Sequence, residues 1–364
     1  MRRRFALAAG ATAVLALLAV ANGAKAQTAK MSDALKALAA AADKEGEVII
    51  KTSSNFFDGN RGMKIYTDHI NAAYGTKIQV KWAPGGSMPE VGNEVAVAFK
   101  NNLPAPTDVY TGFSRNMAVF LKFDMFMTAP WKDYDSERLT DRIVERGIFV
   151  KAYSATLGFS YNSDLAKSTP ERVGDFLKPE WKGKVATTAF AAGFEQLSAK
   201  EAWGPEKTLD FAKTFATQAV AGFLLCTEPE RIASGEFWAF VTDCGGGNMI
   251  KAANAGAPIK RVVTPDYPMI SYFYNAVPKN APHPNAAKLF ITYLMSEQGQ
   301  KDMYDLTFTD LHLYPSSQVR AGLVEVEKKY NFTFADADIA WQETNDAGNA
   351  NQQKIAKIFQ ESGR

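Results

Sequence analysis

The sequence predicts an α/β protein with mostly parallel sheets and flanking helices. Three observations lead there. Short apolar strands and helical segments alternate along the whole chain. The first third repeats one unit three times: strand, polar or Gly-rich loop, helix. The length of 364 residues suits two domains, yet no linker and no internal repeat divides them. A two-domain chain without a linker crosses between its domains more than once.

The elements follow in order. Asp33 to Lys44 is rich in Ala and Leu, with Leu35 and Leu38 on one face and Gly46 as the stop. Val48-Ile49-Ile50 is a buried strand, and Thr52-Ser53-Ser54-Asn55 a polar loop. A helix over Arg61 to Tyr74 closes at Gly75. Ile78 to Trp82 alternates as a strand; Pro84 to Ser87 turns; Pro89 to Asn101 is helical. Asp108-Val109-Tyr110 makes a short strand ending at Thr111-Gly112.

Ile148 to Tyr161 is extended, with Gly158 inside it. Helices are expected near 171–177 and over 205–219, with Val185-Ala186-Thr187-Thr188 between them as a strand and polar loop. Glu236 to Thr242 is a strand that runs into Asp243-Cys244-Gly245-Gly246-Gly247, before a short helix from Met249 to Asn254. Arg261-Val262-Val263 and the aromatic-rich Ile270 to Val277 are further strands. His283 to Met295 is a strong amphipathic helix.

Composition excludes several classes. The apolar share is 46% and the charged share 22%, ordinary for a globular chain. With 41 basic and 39 acidic residues the formal charge is +2, far from a nucleic-acid binder. Two cysteines, Cys226 and Cys244, and three histidines, His69, His283 and His312, are too few and wrongly ordered for a zinc framework. There is no G-x-x-x-x-G-K-[ST], H-E-x-x-H or G-x-S-x-G. Gly245-Gly246-Gly247 is no dinucleotide fingerprint, so no cofactor is expected. His283, between two prolines, reads as a helix-start feature rather than a base. An α/β chain without catalytic signatures reads as a binding protein rather than an enzyme.

The first residues form a secretory signal: Arg2-Arg3-Arg4, an apolar run from Phe5 to Val20, and Ala24-Lys25-Ala26 as the cleavage site. The run is short for a spanning helix of about 20 residues. Arg-Arg-Arg-Phe leaves the twin-arginine route open beside the general one. Losing residues 1–26 removes four cations and no acids, leaving 37 basic and 39 acidic residues, a net −2. No later stretch is long and apolar enough to insert in a membrane. Export makes the cysteines legible: Cys226 and Cys244, 18 positions apart, read as a disulfide, with two separate buried thiols as the rival.

Ligands in open α/β sheets lie outside the carboxyl ends of the strands. Loops 52–56, 84–88 and 111–115 therefore carry the candidate site: Ser53, Ser54, Asn55, Gly86, Ser87, Thr111 and Gly112. Hydroxyls, an amide and helix starts suit an anion, although the same residues also serve ordinary turns and caps.

Tyr161-Asn162-Ser163-Asp164-Leu165, Pro170 and Phe176-Leu177-Lys178-Pro179-Glu180-Trp181-Lys182-Gly183-Lys184-Val185 resemble the "YN-x-DL … P … DL-x-P-x-W-K-G-K-[IV]" run of bacterial extracellular solute-binding proteins. Lys279-Asn280-Ala281-Pro282-His283-Pro284 through Met295-Ser296-Glu297-Gln298-Gly299-Gln300 is similar to a second run of that family, and Glu45-Gly46-Glu47-Val48 to an early one. The resemblance is nearest to iron(III)- and small-solute-binding members of the type 2 periplasmic class. It implies two lobes, 27–150 plus 272–364 and 152–270, hinged near 149–151 and 270–273. It also implies a periplasmic monomer that captures a small-molecule solute by closure and hands it to an inner-membrane ABC permease.

The second lobe would then add Thr188, Phe190 and Asp243 to the site, with Asp243 or Glu195 placed to hold an amine. Iron-binding relatives use adjacent tyrosines beside the second crossing; here Tyr272 and Tyr274 are two apart and share one strand face. They are metal ligands only if iron is the cargo. Phe56, Phe113, Phe190 and Tyr272 are candidate stacking walls. The expected solute is a small polar or anionic molecule such as a carboxylate or phosphonate. An iron(III) carrier and a secreted enzyme on the same scaffold are the alternatives.

Overall fold

The computed structural model describes residues 31–53 and 56–362. The signal segment and the site candidates Ser54 and Asn55 lie outside the described residues. α1 (Asp33–Glu45) starts where the Ser32 hydroxyl accepts the Leu35 N–H at 3.0 Å, and ends at Gly46 in the left-handed region, as expected. β1 (Glu47–Thr52) alternates half-buried and buried side chains and runs parallel to β2 (Gln79–Pro84). α2 (Gly59–Tyr74), closed by Gly75, connects them, and α3 (Met88–Lys100) follows β2.

The third unit departs from the expected repeat. β3 (Tyr110–Phe113) is not the next parallel strand. Thr107 and Asp108, just before it, bond to β1: the Asp108 N–H donates to the Ile49 carbonyl at 2.7 Å, and the Thr107 hydroxyl accepts from Lys51 N at 3.0 Å. The strand then pairs antiparallel with β11 (Met269–Ala276), so Thr111 and Gly112 are strand residues rather than loop residues. Asp108 is fully buried and ties this region together. It accepts from Ile49 N at 2.7 Å and from His283 N at 2.8 Å, which makes His283 the helix-start feature the prolines suggest.

After β3 come α4 (Ser114–Phe120), α5 (Trp131–Tyr134), β4 (Val144–Glu145) and β5 (Phe149–Thr156). β6 (Gly158–Asn162), β7 (Val185–Thr187), α6 (Phe194–Leu197), α7 (Pro205–Gln218), β8 (Val220–Phe223), α8 (Glu230–Ala233), β9 (Ala239–Val241), α9 (Gly247–Asn254) and β10 (Ile259–Val263) build the middle of the chain. The region near 171–177 is a 3₁₀ turn, Val173–Leu177, rather than an α-helix. β11 returns, then α10 (Pro284–Met295), α11 (Glu297–Thr307), α12 (Gln318–Tyr330), β12 (Ala335–Ala337), α13 (Ile339–Thr344) and α14 (Asp346–Glu361) complete the chain.

The α/β class stands, and both larger sheets are mixed. One has the order β12-β11-β5-β4, with β3 also on β11; the other has the order β10-β6-β9-β7-β8. β5 and β11 pair with each other inside the first sheet over most of their length. The chain therefore changes sheets at Leu157 and over 264–268, not at 149–151 and 270–273. Gly158 is required just past the first change, because an added Cβ would sit 2.1 Å from the Val262 carbonyl oxygen.

A further crossing was not expected. β12 and α13 stay with the first sheet, but α14 packs on α6 and α7. Its Ile355 and Phe359 join the core of Phe194, Phe211 and Phe215 under the second sheet. The tail of 272–364 therefore does not belong wholly to the first half. Cys226 and Cys244 are bonded, closing the segment between β8 and α9. Among the described residues, no helix is long and apolar enough to cross a membrane.

Candidate functional site

Alternation along β11 decides what the site is made of. Its odd-numbered side chains face α6 and the ends of β1 and β3. Phe273 stacks on Tyr153 of β5, with ring centroids 4.4 Å apart and planes at 12°. It also meets Phe113, at the end of β3, at 5.2 Å, and Phe56, just beyond β1, at 5.6 Å. Ser271, on the same face, accepts from Gln196 Nε2 of α6 at 2.5 Å. α6, from the second sheet's half, thus meets the β11 face that carries the aromatic wall.

A polar cluster joins α4, α6 and α14. Arg115 donates from Nη1 to Gln352 Oε1. Gln352 Nε2 in turn donates to the carbonyls of Phe190 and Ala191 at 3.3 and 3.1 Å. Phe190 itself is 52% exposed. Glu195 is buried, its Oε2 has no hydrogen-bond partner among the described residues, and burial pushes its carboxyl up. Gln196 Oε1 and Ser114 Oγ are likewise buried without partners among the described residues. At the edge, Lys251 of α9 reaches Asp58, at the start of α2, at 2.6 Å.

The other expected residues have different duties. The backbone carbonyl of Ser53 accepts from Phe56 N. Ser87 gives both its N–H (2.6 Å) and its hydroxyl (2.9 Å) to Glu90 Oε2, and those bonds hold the Glu90 carboxyl below its usual range. A Cβ on Gly86 would lie 2.2 Å from that same oxygen. The start of α3 is thus filled by the chain's own carboxylate, which would repel an anion. The Thr111 hydroxyl is buried and donates to Asn275 Oδ1 at 2.8 Å, and Gly112 packs against the Tyr110 ring. Thr188 is buried and accepts from Ala192 N at 2.7 Å.

Asp243, expected to face an amine, is paired within the chain. Its side chain is wholly buried and accepts from Arg261 Nε at 2.8 Å and Ser160 Oγ at 2.7 Å. Tyr272 and Tyr274 do converge, at 6.2 Å, but on the face of β11 opposite the wall. Their phenols donate to Asp336 and Glu145, and burial together with those carboxylates pushes both far up. Both phenols are thus engaged by carboxylates, and the Tyr272 ring stacks on His312 at 5.9 Å rather than on Phe273. Among the described residues, no group of three or more His, Cys, Asp or Glu could hold a metal.

Sequence reasoning missed Tyr153, Phe273, Arg115 and Gln352. For Phe273 the period of two was the available signal; it separates Tyr272 and Tyr274 from Phe273 without saying which face looks at the loops. For Gln352 nothing in the sequence announced that the last helix crosses over.

Comparison with known proteins agrees with the fold. No curated protein matches the chain in sequence. The substrate-binding protein of an ABC transporter from Agrobacterium tumefaciens shares the fold, with a TM-score of 0.69 at 13% identity, over 87% of this chain and 94% of that one. AgtB from A. tumefaciens, solved with agropinic acid, gives 0.66 at 18% identity over 86% and 99%. Iron-bound HitA from Pseudomonas aeruginosa gives 0.61 at 14% identity over 85% and 99%. The family model for bacterial extracellular solute-binding proteins, which are not enzymes, matches residues 65–333. With the match running through most of the chain, the protein belongs to the bacterial extracellular solute-binding protein family.

Proposed function

We propose that the chain is the exported substrate-binding component of an ABC uptake transporter, and that it holds a small polar or anionic organic solute between its two larger sheets. One observation carries the reading: Gln196, on α6 in the second sheet's half, donates to Ser271 on the β11 face that also carries Phe273, which meets Phe113 and Phe56. A solute seated there touches both halves at once. Contacts made only when the halves are together shift the population toward the closed form. The lobes are then 32–156 with β11 to α13, and 158–263 with α14, hinged at Leu157, 264–268 and Asn345. Export to the periplasm, a monomeric state and delivery to an inner-membrane permease complete the proposal.

Thermal-shift screening of the chain from Gln27 tests it. Ligands that bind only the native state raise the melting temperature by mass action. Stabilisation by an organic solute, graded with its concentration, is the expected result. Stabilisation by ferric ion alone, with tyrosinate absorbance that vanishes in Tyr272→Phe, would replace the organic solute with iron.

A further inference from the structure

We infer that the solute is a planar organic anion, an aromatic or comparably flat carboxylate, whose ring lies on the Phe273 wall and whose charge meets Arg115. The inference rests on the binding-protein reading above and deepens it. Four aromatic side chains, Phe56, Phe113, Tyr153 and Phe273, gather where polar loops were expected. Phe56 and Phe113 remain half-buried, so the wall keeps accessible ring surface. Flat faces of this kind favour stacked or edge-on partners.

The polar groups narrow the class further. A bare oxyanion finds little at the start of α3 or at Thr111. The Ser87 hydroxyl and N–H are given to Glu90, and the Thr111 hydroxyl is given to Asn275. Arg115 follows Phe113 by two residues at the start of α4; its planar guanidinium has donors beyond the one given to Gln352, and such forks match carboxylates. An organic cation on the same rings would stand beside that guanidinium. Gln196 Oε1 and Glu195 Oε2, buried and unpartnered among the described residues, are positioned to accept from a ring hydroxyl or N–H.

Calorimetric titration of the chain from Gln27 tests the inference with matched probes. These are benzoate, 4-hydroxybenzoate and phenylacetate against acetate, succinate, methylphosphonate and benzylamine. The aromatic carboxylates should bind, with 4-hydroxybenzoate tightest, and the aliphatic acids, the phosphonate and the amine should bind at least about tenfold more weakly. Phe273→Leu keeps an apolar core residue but removes the ring, and Phe113→Leu does the same at a less buried position. Each should weaken benzoate about tenfold while leaving the circular-dichroism melt of the free protein cooperative. Arg115→Gln should weaken benzoate but not toluene-like neutral rings. Binding of succinate, methylphosphonate, benzylamine or ferric ion in preference to the aromatic acids overturns this inference and leaves the binding-protein reading intact. If neither these probes nor any small molecule released from the natively expressed protein on denaturation binds, the functional reading falls as well.

Discussion

Replacing Asp243 with alanine should be among the most damaging single changes in the second sheet's half. Its carboxylate has no exposed surface and accepts from Arg261 Nε at 2.8 Å, Arg261 Nη2 at 3.2 Å and Ser160 Oγ at 2.7 Å. Arg261 is 11% exposed and otherwise reaches the Thr156 carbonyl at 2.6 Å. Truncation therefore strands a buried guanidinium and a buried hydroxyl. Breaking a buried ion pair from one side costs about 3–5 kcal/mol, because the remaining charge is uncompensated. Urea unfolding followed by circular dichroism reads this as a lower midpoint at unchanged slope. The double variant Asp243→Leu with Arg261→Met, which removes both charges, should recover most of the loss. A loss below about 1 kcal/mol for Asp243→Ala, or a double variant no better than the single one, would refute the reasoning.

Three further outcomes are expected. Reducing the Cys226–Cys244 bond, which spans 18 positions, should cost about 3 kcal/mol in the loop-entropy model, read as a lower melting temperature in dithiothreitol that is absent in the Cys226→Ser, Cys244→Ser double variant. Burial lowers His312 to about 4, so the unfolded chain takes up that proton near pH 6.5 while the native one does not. Stability should therefore fall between pH 6.5 and about 4 by up to roughly 3 kcal/mol, and His312→Gln should flatten that part of the profile relative to the parent. Gly158→Ala places a Cβ 2.1 Å from the Val262 carbonyl oxygen, and the forced shift of the β6–β10 pair should destabilise by about 1–3 kcal/mol in the same urea assay.

The α/β class and the early elements were legible because their signals are local. Leu35 and Leu38 set a helical face, and Gly46 and Gly75 adopt the left-handed caps that end their helices. The disulfide followed from compartment and count. The site was less legible because its assembly is not local. Asp243 lies in the loop anticipated for it, yet its charge is consumed by Arg261, 18 residues away in sequence and on β10, beyond β6 in the sheet. Ser87-Met88-Pro89-Glu90 spells a capping box in the sequence itself, and reading it would have removed Ser87 from the anion site. The crossing of α14 escaped notice because a buried face carrying Ile355 and Phe359 does not say which half of the molecule it packs on.

Small-angle X-ray scattering of the chain from Gln27, alone and saturated with the solute that stabilises it most, tests the central claim most directly. Capture between the two halves predicts a smaller radius of gyration in the saturated sample, with the change lost in Phe273→Leu at the same solute concentration. A saturated sample whose scattering profile is unchanged, with binding established by calorimetry, would contradict closure around the solute.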